Sequence, residues 1–274
     1  GPAAGVIGGR QEGIEAGISD LITVDIGGTS CDIALISQAK PMLRHEGKID
    51  GYAVRVPMVD VNAIGSGGGS IAWIDGAGGL RVGPHSAGSD PGPACYGRGG
   101  EEATVTDASL VLGLLDPDYF AGGGLALDPN LAREVIEKKI AEPLGLTVEQ
   151  AALGIHRVLN AQMAEGIRLV SVRQGYDPRD FTLLGLGGAG ALHAAALAEE
   201  LGVGQVLVPR RPGVLSAAGL LAAPVEHEVS TSFARPLADL DLSEVRSTLG
   251  ELDQRAEKLM AVERIGEAAV EISY

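Results

Sequence analysis

Cysteine is nearly absent from this 274-residue chain, which carries only Cys31 and Cys95. Two distant thiols cannot form a disulfide framework or a four-ligand zinc site, and they fit a reducing, cytoplasmic compartment. No uninterrupted apolar run reaches the ~18 residues that a membrane-spanning helix needs. The first residues, Gly1-Pro2-Ala3-Ala4-Gly5-Val6-Ile7-Gly8-Gly9, lack both the basic start and the apolar core of a signal peptide. Positive charge is also scarce: Lys+Arg 21 against Asp+Glu 36 leaves a net charge of −15. That balance opposes docking on nucleic-acid phosphates or on an anionic membrane, so neither is expected as a partner. There is no initiator methionine, no internal repeat and no low-complexity linker. The last residues, Val270-Glu271-Ile272-Ser273-Tyr274, alternate like a strand that continues, so the chain reads as a piece of a longer protein.

What is abundant is glycine. The chain has 45% hydrophobic and 21% charged residues, the range of a soluble globular protein of one large or two ordinary domains. Its 41 glycines come in scattered clusters and not in a fixed period, which excludes collagen and points to Gly-lined loops. Residues 20–36 are two apolar runs joined by Gly27-Gly28-Thr29-Ser30, a hairpin with a polar tip. Residues 2–15 read as a helix and 54–61 as a strand. Short strands are expected at 71–74 and 80–82, and residues 85–100 as an irregular Pro/Gly loop. A helix is placed at 108–115 after Thr106-Asp107, then helices at 130–140 and 147–171, the latter with Thr147 and Glu149-Gln150 as its N-terminal capping pattern. A strand at 181–186, a glycine turn at 187–190, a helix at 191–201 and a strand at 205–208 make a parallel crossover unit, hence an α/β fold. Small-residue and polar helices follow at 213–223 and 243–262.

The hairpin tip is the first candidate site. Adjacent glycines let backbone N–H groups approach phosphate oxygens with no Cβ in the way. Asp25 and Asp32, seven residues apart across the turn, can flank one space and either hold Mg2+ through water or orient an attacking group; the alternative is an ordinary turn with solvated aspartates. The second glycine turn contains Gly185, Gly187 and Gly190 in Gly-x-Gly-x-x-Gly spacing. The acidic residue of a dinucleotide site is missing, since Arg210-Arg211-Pro212 stands there, so the edge of a nucleoside pocket or a tight helix–sheet contact fits better. In the Pro/Gly loop, Asp90 and Cys95 could line a substrate pocket, with Cys95 either a nucleophile or a small packed residue. His193, opening the helix after the second turn, is a candidate nucleotide contact or a solvated side chain. Ala152, Ile155, Leu159, Met163, Ile167 and Val170 form a core stripe.

Taken together, Gly1-Pro2-Ala3-Ala4-Gly5, Val24-Asp25-Ile26-Gly27-Gly28-Thr29-Ser30, Gly67-Gly68-Gly69-Ser70-Ile71-Ala72, Ser89-Asp90-Pro91-Gly92-Pro93-Ala94-Cys95-Tyr96-Gly97 and Gly187-Gly188-Ala189-Gly190 resemble the hydantoinase A / 5-oxoprolinase family. The resemblance runs in order over residues 1–235. It implies an actin-like, ribonuclease H-like ATPase lobe with an inserted helical region at 130–175, followed by a helix and the start of a further region at 236–274. It implies ATP and Mg2+ as cofactors, a cyclic amide as substrate and a hydantoinase B-type subunit as partner. ATP would phosphorylate the amide oxygen before water opens the ring.

On that resemblance, Asp25, Asp32, Asp90 and Cys95 are the catalytic candidates, with Asp25 also toward the metal. Gly27, Gly28, Thr29, Ser30, Gly187, Gly188, Gly190 and His193 are the nucleotide-binding ones. The superfamily uses two phosphate hairpins and this sequence shows one, matching the second, so these residues alone are expected to bind ATP weakly. Two other functions share such a lobe: an acetone-type carboxylase subunit, and a nucleotide switch without small-molecule chemistry.

Overall fold

A computed structural model describes residues 1–263 and 270–272. The chain forms two compact units, residues 1–223 and 224–274. In the first, α1 (Pro2–Ala16) leads into a hairpin of β1 (Leu21–Ile26) and β2 (Cys31–Ser37). The expected strand at 54–61 is instead broken into Tyr52–Val54, Met58–Val59 and β3 (Val61–Ile64). Pro57 lies in the gap, and without an amide proton it cannot extend a ladder. β4 (Ser70–Ile74) and β5 (Leu80–Ser86) then pair as an antiparallel ribbon.

The Pro/Gly stretch is irregular, as expected, apart from one 3₁₀ turn at Ala94–Tyr96. The next helix, α2 (Val105–Val111), starts three residues before its expected position. Thr104 is its N-cap, and Asp107, at the third helical position, completes a capping box with it. α3 (Pro129–Ile136) runs on through a π turn, and α4 (Val148–Val172) has the Thr147–Gln150 box read from the sequence. β6 (Thr182–Leu186), α5 (Gly190–Leu201) and β7 (Val206–Leu207) are the crossover unit, followed by α6 (Leu215–Ala222).

One mixed sheet organises this unit. β7, β6 and β1 are parallel, β2 is antiparallel to β1, and β3 and the short strand Lys40–Pro41 both pair with β2. Both faces are covered, which is why β1 and β6 read as nearly continuous apolar runs. On one face Ile22, Val24 and Ile33 pack on the α4 stripe of Ile155, Leu159, Met163 and Ile167, and on Leu197 of α5. On the other, Leu21, Ala34, Leu184 and Leu186 pack on Val6 of α1 and Leu215 of α6. Alternation along β1 therefore sends Leu21, Thr23 and Asp25 toward α1 and α6. These two helices cross at glycines: a Cβ on Gly219 would lie 2.6 Å from the Gly8 nitrogen.

The second unit holds α7 (Leu242–Val262), with Asp241 accepting from the Ser243 amide at 2.8 Å as its N-cap. Of the strand expected at 270–274, residues 270–272 carry no regular structure and 273–274 lie outside the described residues.

Candidate functional site

The hairpin closes over a four-residue tip, Gly27 to Ser30, with the Gly27 amide donating to the Ser30 carbonyl at 3.0 Å. The register sets Asp25 directly opposite Asp32, on the same sheet face. Both side chains are partly buried. Desolvation raises the Asp25 pKa above the ordinary carboxylate value, opposed in part by Ser216 of α6, whose hydroxyl donates to Oδ2 at 3.3 Å. Desolvation raises Asp32 as well, and the neighbouring Asp25 charge adds to it. The N-terminal ammonium lowers both pKa values in part, and the two adjacent carboxylates are groups of the kind that can hold a cation. Among the described residues no third metal-ligating side chain joins them. Two carboxylates suffice for Mg2+, which takes its other ligands from water and substrate phosphate.

Three neighbours frame this pair. The second glycine turn follows β6, which lies parallel to β1 with Leu186 beside Asp25. Gly187 has φ 81°, and a Cβ there would lie 2.5 Å from the Ile26 carbonyl and also press on Asp25 Oδ1. On the far side, the Gly67–Gly69 segment lies against the tip. The Gly68 and Gly69 amides donate to the Gly27 and Gly28 carbonyls at 3.0 and 2.6 Å. A Cβ on Gly67 would sit 2.7 Å from the Thr29 nitrogen. Below, Gly5 of α1 is so close that its Cβ would come within 3.3 Å of Asp25 Oδ2.

Two glycines at the site answer to no such demand. Gly28 and Gly188 are exposed, their φ angles lie outside the left-handed region, and no protein atom lies within 4 Å of where a Cβ would be. The fold would tolerate a side chain at both, and bare backbone there leaves room for close approach to the tip and the turn.

The hydantoinase/oxoprolinase family profile matches residues 1–229. The chain belongs to the hydantoinase/oxoprolinase family. Caprolactamase subunit alpha of Pseudomonas jessenii is 44% identical over 257 residues, which are 93% of this chain and 37% of that one. The crystal structure of the ATP-dependent caprolactamase from that organism superposes with a TM-score of 0.78 at 41% identity, over 94% of this chain and 38% of the other. The nucleotide-free structure of acetone carboxylase, an enzyme of ATP-dependent acetone carboxylation, gives a TM-score of 0.82 at 32% identity, over 97% of this chain and 39% of the other. The chain thus spans less than two fifths of each of these relatives. Its mixed α/β fold is that of the family, as the motifs implied.

Within this family member, the remaining predicted residues separate. Gly190 is buried where β6 meets α5, and a Cβ on it would lie 3.0 Å from the Gly185 carbonyl carbon, so there the tight helix–sheet contact holds. Asp90 is exposed on the loop; Ser86 and Ala87, just before it, reach Gly69 beside the tip. Cys95 is fully buried, its amide bound to Asp107 Oδ1 at 2.8 Å. Burial, then the Asp107 charge, pushes its thiol pKa up. Of the two readings of Cys95, burial and a raised thiol pKa favour the small packed residue over the nucleophile. Arg168, at the end of α4, pairs with Glu165 and Glu200. Ser216 and Gly5 were not singled out as site residues; Ser216 lies 191 positions from the aspartate it touches, a distance no local pattern signals.

His193 also departs from expectation. It is wholly buried, not on the helix surface, and stacks on His156 of α4 with ring centroids 4.9 Å apart. Ser109 Oγ donates to the Val105 carbonyl and so accepts from His156 Nε2 at 2.9 Å. His193 Nδ1 donates to Asn160 Oδ1 at 2.7 Å, which leaves its Nε2 unpartnered. Desolvation lowers the pKa of His156 to about 4, and desolvation with the His156 charge lowers that of His193 to about 3. Both rings are neutral in the folded state, so the unfolded chain binds more protons as pH falls below ~6.5. The stability they hold is complete above ~6.5 and drains toward pH 4 by roughly 1.4 kcal/mol per unit for each ring. His156→Phe keeps the stack and removes one titrating group. Its melting temperature is expected to fall less than wild type between pH 7.5 and 4.5, and parallel profiles would reject the assignment.

Proposed function

We propose that residues 1–235 are the ATP-binding core of an ATP-dependent cyclic-amide hydrolase of hydantoinase/oxoprolinase type, and that 236–274 begin a further region. The enzyme would act in the cytoplasm with a hydantoinase B-type subunit. The observation that carries this reading is the pair Asp25 and Asp32, set at the foot of a glycine tip between two exposed glycines whose missing side chains the fold does not require. Backbone amides at Gly28, Thr29 and Ser30 would meet phosphate oxygens, and Gly188 would border the nucleoside. Mg2+ bound with the nucleotide would neutralise phosphate charge. Asp25 and Asp32 would hold it through water, and Asp25, steadied by Ser216, would orient the attacking oxygen toward the terminal phosphate.

An amide is a poor electrophile because its nitrogen lone pair is delocalised into the carbonyl. Phosphorylating the carbonyl oxygen withdraws that density, so water adds at the carbon, the ring C–N bond breaks with nitrogen leaving as the amine, and hydrolysis of the resulting acyl phosphate releases phosphate, which gives ATP a reason to be consumed in a hydrolysis. The likeness to the acetone carboxylase chain favours a second reading, in which the acceptor of the phosphoryl group is a ketone enol or bicarbonate.

Calorimetric titration of MgATP into the full-length protein, then phosphate release in the presence of its partner subunit, tests both. The hydrolase reading expects saturable binding and phosphate release that rises when a lactam, hydantoin or 5-oxoproline is added. Release that rises only with a ketone and bicarbonate would give the carboxylase reading, and release indifferent to every acceptor would leave a nucleotide switch.

A further inference from the structure

We infer that the hydroxyl of Thr106 positions the nucleotide hairpin, as the last link of a buried relay that begins in the Asp-Pro-Gly-Pro loop. Asp107 is fully buried and accepts three hydrogen bonds, from the Thr104 amide at 2.9 Å, the Thr104 hydroxyl at 2.6 Å and the Cys95 amide at 2.8 Å. It ties the loop to the first turn of α2. The residue before it, Thr106, directs both its amide and its hydroxyl at one acceptor, the Gly68 carbonyl, each at 2.8 Å. Across the same peptide segment, the Gly68 amide donates to the Gly27 carbonyl, and the next amide, Gly69, to the Gly28 carbonyl.

A carbonyl that accepts two donors is fixed in direction, and the amides on the same segment inherit that orientation. The glycines leave no slack in the relay: a Cβ on Gly68 would stand 2.9 Å from Thr106 Oγ1, and one on Gly69 2.8 Å from the Gly28 carbonyl oxygen. Helix capping alone does not explain the hydroxyl. Thr104 already caps α2, and the Thr106 hydroxyl points out of the helix to a residue 38 positions away. The Ser89–Gly97 motif therefore contributes through Cys95 and Asp107 to the stiffness of the phosphate tip. Thr106 is a positioning residue.

The proposal rests on the nucleotide reading of the hairpin, and the test separates the two. MgATP affinity, melting temperature and amide hydrogen exchange are measured on the full-length protein for wild type, Thr106→Val, Thr106→Ser and Ser109→Ala. Thr106→Val keeps the shape and the amide bond but loses the hydroxyl. Its MgATP dissociation constant is expected to rise about fivefold, the effect of one neutral hydrogen bond, and exchange at Gly68 and Gly69 is expected to quicken. Thr106→Ser restores both. Ser109→Ala removes another buried hydroxyl of the same helix, one that does not reach the glycines, and is expected to lower the melting temperature with affinity kept. Should valine prevent folding, Thr106→Ala takes its place. Unchanged affinity and unchanged exchange in the Thr106 variant overturn the relay. If wild type itself binds no MgATP, the nucleotide reading falls, and unchanged exchange at Gly68 and Gly69 would still overturn the relay by itself.

Discussion

Asp25→Asn is expected to stop ATP turnover, with kcat at least about a thousandfold below wild type, while the melting temperature holds or rises. The two halves of this expectation come from one observation. Asp25 sits partly desolvated opposite Asp32, and desolvation raises its pKa in the folded state. A raised carboxylate pKa means that the folded protein binds that proton more tightly than the unfolded chain. Ionising it costs stability, and the cost grows as pH rises through the folded-state pKa. Asparagine has the same shape, still accepts from Ser216, and carries no charge to desolvate.

A variant relieved of that desolvation cost yet inactive is the result expected of a residue kept for chemistry at the expense of stability. Turnover depends on the charge, which is lost. Purified wild type and variant would be compared for phosphate release and by thermal melting at neutral pH. Wild-type turnover in the variant would remove Asp25 from the site. A collapsed melting temperature would mean that the carboxylate is a structural partner and that its desolvation had been misjudged.

The hairpin was legible because its information is local. A four-residue glycine tip between two apolar runs fixes the pairing register, and register alone sets Asp25 opposite Asp32. The same holds for α4, whose Thr147–Gln150 box and apolar stripe are both short-range. The start of α2 was misplaced because two threonines compete as N-caps, and the winner is decided by Asp107, which also has Cys95 to satisfy. Both readings of His193, nucleotide contact and solvated side chain, need an accessible ring, and it is buried instead: the helix pattern shows which face is apolar but not that α4 brings His156 and Asn160 to that face. Ser216 and Thr106 reach their partners across long sequence separations. No periodicity encodes such contacts, since they exist only after the sheet has stacked its helices.

The adjacent glycines Gly187 and Gly188 are expected to respond to the same substitution in opposite ways. Gly187→Ala adds a Cβ at a left-handed φ of 81°, where an L side chain already costs about 1–2 kcal/mol, and drives it against the Ile26 carbonyl and the Asp25 carboxylate. Neither neighbour can yield: Ile26 is held in β1 between two strands, and its carbonyl accepts from the Ala189 amide at 3.0 Å. The turn must move and take Asp25 with it, so both melting temperature and turnover fall sharply. Gly188→Ala meets open space at an ordinary backbone angle, and its stability is expected to stay within about 0.5 kcal/mol of wild type, the range of neutral surface changes. Any loss of MgATP affinity in Gly188→Ala then measures the ligand's approach and nothing of the fold. Thermal melts and nucleotide titrations of the two variants side by side decide the matter. If Gly188→Ala, and the bulkier Gly188→Val, bind MgATP as wild type does, the nucleoside does not pass over this turn. A stable, active Gly187→Ala would show instead that the turn has room to relax, and that Asp25 is positioned from the β1–β2 register and Ser216 alone.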